Sequence, residues 1–327
     1  EKPLRTKIKE FLLGRGWPRV EYPQSHLDGL GLNHQILSKY RQITDADVPD
    51  ADVVVATWWE TAEWVAQLSP AKGAKSYFIQ GYEIFDFLPI ARCKATYRLP
   101  LHKITIAKWL ADVMKNEYGD ATVDLVPNSV DRNQFFSLPR DKQSVPTVGF
   151  LYSQAALKGV DITLQALEKL KRSVPNLRVI SFGAYPLKDN ALWDSKYEFF
   201  YSPKQEEIRN LYAQCDVWIT ASRTEGFNLP AMEAMACRTP VVSTKTGWPE
   251  EAIVNGKNGF LIEIDDVDGL TKAISKLLSI TNEEWKGCSQ HAFQTVENSS
   301  WEASATMFEK ALMNAIKRTK NGELNQL

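Results

Sequence analysis

The run from Cys215 to Cys237 constrains the fold of this 327-residue chain more than any other stretch. Cys215 to Thr220 (CDVWIT) is short, β-branched and aromatic, the pattern of a buried strand. Small polar residues follow, then Gly226, and Pro230 stands where a helix tolerates proline, in its first turn. Strand, glycine turn and helix start present free backbone N–H groups and a positive dipole end to an anion such as phosphate. Two carboxylates, Glu225 and Glu233, flank the turn with seven residues between them. Ionised carboxylates only accept hydrogen bonds, so they grip donors such as sugar hydroxyls. A ligand with both halves, phosphate and sugar, suits the pattern. The ordinary alternative is that, among 40 acidic residues, one caps a helix and one is solvated. The surroundings favour the ligand.

After this run, Thr239 to Thr244 (TPVVST) reads as a second β-branched strand, and Thr246 to Glu251 (TGWPEE) as a second turn carrying acidic residues. Asn255-Gly256 and Asn258-Gly259 mark turns before the strand Phe260 to Ile264 (FLIEI). Taken together, EGFNLPAMEAMAC, TPVV and PEEAIVNGKNGFLI resemble the donor-binding half of the retaining glycosyltransferases of family 4, which have the GT-B fold. Upstream, Glu206 to Val217 resembles that family's helix leading into the same strand. Val126 to Asp131 (VPNSVD), followed by Phe135, resembles its interdomain hinge. The resemblance spans roughly residues 100 to 320.

A chain of 327 residues exceeds the size at which single cores stop growing, so two domains are expected. Strand and helix signals alternate, as in parallel sheets with crossover helices. In the first half, 51–57 and 76–80 read as strands, 61–68 as a helix, 103–106 as a strand, 108–118 as a helix and 123–126 as a strand. Pro139 to Pro146 has the composition of a linker. The second half opens with strand 147–152 and helix 161–173, then strands 177–182 and 197–201. The resemblance implies that the amphipathic helix from Trp301 crosses back, so that 1–140 with 301–327 form an acceptor-side domain and 141–300 a donor-side one. It also implies an opening strand with a Gly-rich loop, where Leu4 to Leu13 reads as a helix. The first strand is therefore expected to be absent, or the first half reduced.

A net charge of −1 argues against nucleic acid as a principal partner, since no overall basic field exists to release counterions. No apolar run reaches membrane-spanning length and nothing at the start reads as a signal peptide. The four cysteines are scattered, which fits reduced, buried thiols in a cytoplasmic protein. Basic residues between Lys2 and Arg19 leave peripheral contact with an anionic lipid surface open beside a solvated face.

The resemblance implies that Glu225 contacts the transferred sugar beside the N–H groups of Gly226, Phe227, Asn228 and Leu229. It implies that Glu233 binds the nucleotide ribose. Lys158, in Lys158-Gly159, is then the diphosphate contact that offsets charge on the leaving nucleotide. Taken alone, such a lysine is more often merely solvated. The family's usual Gly-Arg pair falls here on Tyr152-Ser153, with Arg223 and Lys245 as nearby cations, each also readable as an ordinary surface charge. The base is expected near Ser202. On the acceptor side, Trp58, Trp59, Gln80 and Glu83 follow strand ends, although tryptophan pairs more often serve a core.

No histidine pair has metal-ligand spacing. Asp45-Ala46-Asp47 has D-x-D spacing but sits in a loop before Pro49, so no metal and no cofactor are expected. The activity implied is metal-independent transfer of a hexosyl-type sugar from a nucleotide diphosphate sugar to a glycan, lipid or small-molecule acceptor, with retention. A catalytically weak nucleotide-sugar-binding partner subunit is the alternative. A dinucleotide oxidoreductase lacks its G-x-G-x-x-G here, and a phosphorylase lacks the cofactor-binding lysine signature.

Overall fold

Helices cover both faces of the parallel strands, which explains why the strands read as continuous apolar runs rather than alternating ones. A computed structural model of the chain describes residues 27–37, 39–187 and 197–324. By contacts the chain divides into Glu1–Gln42 and Ile43–Leu327. In the first unit the described residues are irregular: Leu30 N–H donates to Leu27 O, and His34 pairs with Asp28 at 3.1 Å. The helix expected at Leu4 to Leu13 and the basic cluster between Lys2 and Arg19 lie outside the described residues.

The second unit carries two sheets. The first holds β1 (Val53–Ala56), β2 (Ala74–Ile79), β3 (His102–Thr105) and β4 (Asp124–Leu125), all parallel and in that order. Between them run α1 (Trp59–Gln67), α2 (Ile90–Thr96) and α3 (Lys108–Tyr118). The second sheet holds β5 (Thr147–Leu151), β6 (Arg178–Gly183), β7 (Tyr197–Tyr201), β8 (Val217–Thr220), β9 (Val241–Thr244) and β10 (Gly259–Ile262), with spatial order β10-β9-β8-β5-β6-β7. Its helices are α4 (Val160–Ser173), α5 (Gln205–Ala213), α6 (Leu229–Ala236), α7 (Pro249–Ala252), α8 (Val267–Ser279) and α9 (Asn282–Val296). The chain runs outward from β5 through β7, then returns to lay β8 on the other side of β5. That reversal makes a switch point between β5 and β8, where doubly wound sheets bind ligands beyond the strand C-termini.

Burial explains the second sheet. β8 and β9 are buried along their whole length. Trp218 on β8 is fully buried against Tyr212, with ring centroids 4.5 Å apart, and Phe182, 5.6 Å away. Helix α4 buries Ile162, Ala166, Leu167 and Leu170 and ends on Lys171 and Arg172, which complement its dipole.

The last helix, α10 (Trp301–Lys320), returns to the first sheet. Ala311 packs with Ile104 and Val126, the Phe308 ring meets Phe78 edge-on at 5.2 Å, and Ser304 Oγ donates to Pro127 O. At its far end Arg318 donates to His102 Nδ1 (3.0 Å), which leaves Nε2–H to donate to Asp124 (2.8 Å). Asn314 Nδ2 also donates to Asp124. Burial pushes the His102 pKa below the ordinary histidine value, so the neutral ring is the form that suits this joint.

Pro139 to Pro146 is irregular but not loose. Arg140 stacks on Trp285 at 4.5 Å and donates to Cys215 O, while the amides of Lys142 and Gln143 donate to Asn282 and Asp216. The composition of a linker thus belongs to a segment fastened to the second sheet. All four cysteines are buried and free. Among the described residues no helix is long and apolar enough to cross a membrane.

Candidate active site

Lys158 and Glu225 meet at the switch point. Lys158 follows β5 in a short 3-10 turn, Glu225 follows β8, and Lys158 Nζ lies 2.6 Å from Glu225 Oε1. Ser222 Oγ donates to the same oxygen (2.7 Å), and Thr244 Oγ1 donates to Ser222 O. The pair is half-buried and rigidly framed. Gly159 makes the close approach feasible: it has φ +59°, and a Cβ there would lie 1.9 Å from Ala221 O. Lys158 has three donors and gives one to Glu225, so the remaining two stay available to an anion.

Beyond Glu225 the chain turns into α6. Asn228 takes φ +80° and its side chain donates to Thr220 Oγ1, which in turn donates to Ser243 Oγ. Phe227 is buried, stacked on Trp248 at 5.7 Å, and its carbonyl accepts the Trp248 N–H. Among the described residues, the amides of Gly226, Phe227, Asn228 and Leu229 find no acceptor in the protein. Four free N–H groups at a helix N-terminus, with Lys158 close by, form an electropositive edge.

Glu233 lies one turn into α6, where Tyr212 donates to its Oε2 at 2.7 Å. Burial raises its pKa above the ordinary carboxylate value, while the tyrosine hydrogen bond opposes that rise. Ser202 follows β7 at the sheet edge with φ +43°, three strands from β8, and its N–H donates to Gly183 O. It is exposed and does not line the cavity beside Glu225.

That cavity has a volume of about 360 Å³. Glu225, Gly226, Thr224 and Lys158 line one side; Thr57, Trp58, Gln80 and Glu83 line the other, with Tyr82 and Phe85. Of the acceptor-side expectations, Trp58, Gln80 and Glu83 therefore share one cavity with Glu225 and Lys158. Trp59 does not: it is buried in the first half, with the Arg92 guanidinium 4.9 Å over its ring. Glu83 is nearly inaccessible, and its Oε2 accepts the Trp59 N–H (2.9 Å) and the Tyr77 hydroxyl (3.1 Å). Burial pushes its carboxyl up to about 7 against those two bonds.

Arg223 and Lys245 do not face the cavity as spare cations. Arg223 binds Asp161, Asp265 and the carbonyl of Ala156, which fixes the Lys158 turn from behind. Lys245 pairs with Glu263. Ser153, where the resemblance calls for arginine, accepts the Ala155 N–H. Asp45 and Asp47 are used locally, accepting from Ser69 N–H and from Thr44. No cluster of three or more metal-ligating side chains occurs among the described residues.

One residue that joins the sheets carries no sequence signal. Trp109, on α3, donates its Nε1–H to Gly226 O (2.9 Å) and its amide to Glu251 Oε1 (3.1 Å). A Cβ on Gly226 would lie 1.9 Å from Gln80 O. The glycine thus meets both α3 and the end of β2. A pattern search marks Gly226 as a turn; it has no means of finding the tryptophan 117 residues away.

Residues 142–279 match the family described as Glycosyl transferases group 1, a stretch confined to the second sheet and its helices. A GDP-mannose-dependent alpha-(1-6)-phosphatidylinositol monomannoside mannosyltransferase of Mycolicibacterium smegmatis is 26% identical over 259 residues, covering 69% of this chain and 68% of that protein. A D-inositol 3-phosphate glycosyltransferase of Corynebacterium urealyticum is 31% identical over 176 residues, 50% of this chain but 41% of the relative. The chain thus spans about two fifths of that relative's length. Among solved structures, sucrose-phosphate synthase of Thermosynechococcus elongatus superposes with a TM-score of 0.68 at 15% identity, over 80% of this chain and 73% of that one. Anabaena HepE in complex with UDP and glucose gives 0.66 at 18% identity, over 79% and 77%. The fold is GT-B, and within it residues 142–279 are similar to the group 1 glycosyltransferases.

Proposed function

We propose that this chain transfers a sugar from a nucleotide diphosphate sugar to the hydroxyl of an acceptor, with retention and without a metal. One observation carries the reading: the Lys158–Glu225 pair stands at the switch point beside four unbonded amides of the α6 N-terminus. The diphosphate fits those amides and the two spare Lys158 donors, which would stabilise the charge that develops as the sugar bond breaks. Glu225 then positions the sugar and stabilises positive charge at the reacting carbon, while Glu233 holds the ribose and Ser202 neighbours the base. The acceptor enters from the first sheet, past Trp58, Gln80 and Glu83. In this reading 1–140 with 301–327 form the acceptor half, and 141–300 the donor half. Because Lys158 takes the electrostatic role, turnover is expected to persist in chelator; its loss there would overturn metal independence.

A second reading has its own support. Ser153 replaces a cation, while Arg223 and Lys245 are committed to carboxylates. A site with one cation, itself paired, also suits a subunit that binds nucleotide sugar and turns it over weakly. Calorimetric titration of UDP, GDP, ADP and dTDP without metal, repeated with Glu233→Ala, tests both. Binding of one nucleotide, weakened by the substitution, followed by transfer supports the enzyme. Binding without transfer to any acceptor supports the partner subunit. No binding defeats both.

A further inference from the structure

The shared cavity is unevenly equipped. One side has the Gly226 turn, the Glu225 carboxylate and the Lys158 ammonium; the other has Trp58, Tyr82 and Phe85 for apolar contact, Gln80 and Thr57 for hydrogen bonds, and the Glu83 carboxyl. Lys158 is the sole basic side chain among the described residues that line it, and Glu225 already neutralises it. Oε2 of Glu83 takes both donated bonds, so Oε1 is left without a partner in the protein. The other titratable groups around Glu83 are Tyr77, Tyr97, whose hydroxyl binds the Glu83 amide, and Cys93. None is a cation.

We infer that Glu83 makes the site selective for acceptors that present an uncharged hydroxyl there, and turns away those that carry a phosphate or carboxylate at that position. This rests on the glycosyl-transfer reading. The argument is one of donors and acceptors. A sugar hydroxyl both donates and accepts, so it satisfies Oε1 whether Glu83 is ionised or protonated. A phosphate monoester carries close to two negative charges and acts as an acceptor, so it meets an ionised carboxylate with repulsion and no hydrogen bond. With the Glu83 carboxyl pushed up to about 7, this discrimination strengthens as pH rises through neutrality. The aromatic residues add weight in the same direction, since they bind the C–H face of a sugar and offer nothing to an anion.

The test uses the full chain with the donor identified by nucleotide titration. Transfer is measured to acceptor pairs that differ only in a phosphate: methyl α-mannoside and its 6-phosphate, myo-inositol and its 3-phosphate. The neutral member is expected to be favoured about tenfold or more in kcat/KM above neutral pH. Glu83→Gln keeps the shape and a hydrogen-bonding tip but removes the charge. It should shrink that preference to about threefold or less, flatten its pH dependence and leave nucleotide affinity unchanged. A wild-type chain that uses the phosphorylated member as well or better overturns the inference, and leaves the glycosyl-transfer reading standing. Absence of nucleotide binding strikes the reading itself. If neither member of any pair is used, inorganic phosphate is titrated against the nucleotide-loaded chain. Saturable binding that Trp58→Ala abolishes places an anion in the cavity and overturns the inference; failure of phosphate to bind there supports it.

Discussion

The two sides of the cavity are built on opposite plans. The side proposed for the donor is, apart from Lys158, one segment, 221–251, whose residues are dictated by backbone demands. Gly226 sits where a side chain has no room, Asn228 takes a positive φ, and Pro230 occupies the first helical turn. The side proposed for the acceptor is gathered from the ends of β1 and β2, and its most distinctive group, Glu83, owes its character to burial and to partners 24 and 6 residues away. Local backbone chemistry writes itself into sequence, whereas a pKa set by desolvation does not.

Substitutions can break that contrast or sharpen it. Lys158→Ala and Glu225→Ala should have the largest effect, lowering transfer by about 10²–10³-fold. Glu225→Ala should do so at near-constant nucleotide affinity, and full turnover in that variant would remove the carboxylate from the chemistry. Gly226→Ala comes next, because its Cβ would collide with the carbonyl of Gln80. A loss of about 1–3 kcal/mol is expected, measured by denaturant unfolding and accompanied by reduced transfer; a silent substitution would mean that the donor turn and β2 are not pressed together. Glu233→Ala should raise the nucleotide Kd about tenfold, roughly 1.4 kcal/mol. An unchanged Kd would leave Glu233 as no more than the buried partner of Tyr212. Trp109→Phe removes one hydrogen bond to Gly226 O, with an expected loss of about 1 kcal/mol. If stability holds but donor KM rises, the bond serves the alignment of the loop rather than the fold.

The smallest effect separates the halves by pH. His102 has a folded pKa below its ordinary value, so the fold favours the neutral ring. Its contribution is complete above the unfolded histidine pKa of 6.5 and is lost as pH falls through the folded value. Glu83 runs the other way: raised to about 7, it favours folding below the ordinary carboxylate value of 4.5 and loses that contribution as pH rises towards and past 7. Tm profiles should therefore lose their acid-side fall in His102→Gln and their neutral-side fall in Glu83→Gln. Identical profiles in either variant and the parent would dismiss that group as a determinant.

Much of the second half is legible from sequence. The strand at 197–201 is aromatic, those at 217–220 and 241–244 are rich in β-branched residues, and the helix after Gly226 announces its start with Pro230. The first half is legible as alternating elements: β1, α3 and β3 fall within a residue or two of the expected spans. Sequence is less informative wherever the partner is remote. Trp59 shares the composition of its neighbour Trp58, yet only Trp58 lines the cavity, because α1 begins between them and sends successive side chains in different directions. The segment 139–146 has the composition of a linker, but Arg140 finds Trp285 across 145 residues. Ser202 follows a strand correctly placed, and its exposure at the sheet edge depends on the order of β5, β6 and β7, which periodicity does not reveal.

The return of α10 to the first sheet has a consequence for biosynthesis. Ile104 and Val126 are translated about two hundred residues before Ala311 arrives to cover them. Through that interval the nascent first half shows bare apolar surface while the second half, contiguous from 147 to 296, can already close. A nascent chain from which 147–296 has emerged but α10 has not would therefore hold one finished layer and one sticky one, and chaperone capture should fall away only as α10 emerges.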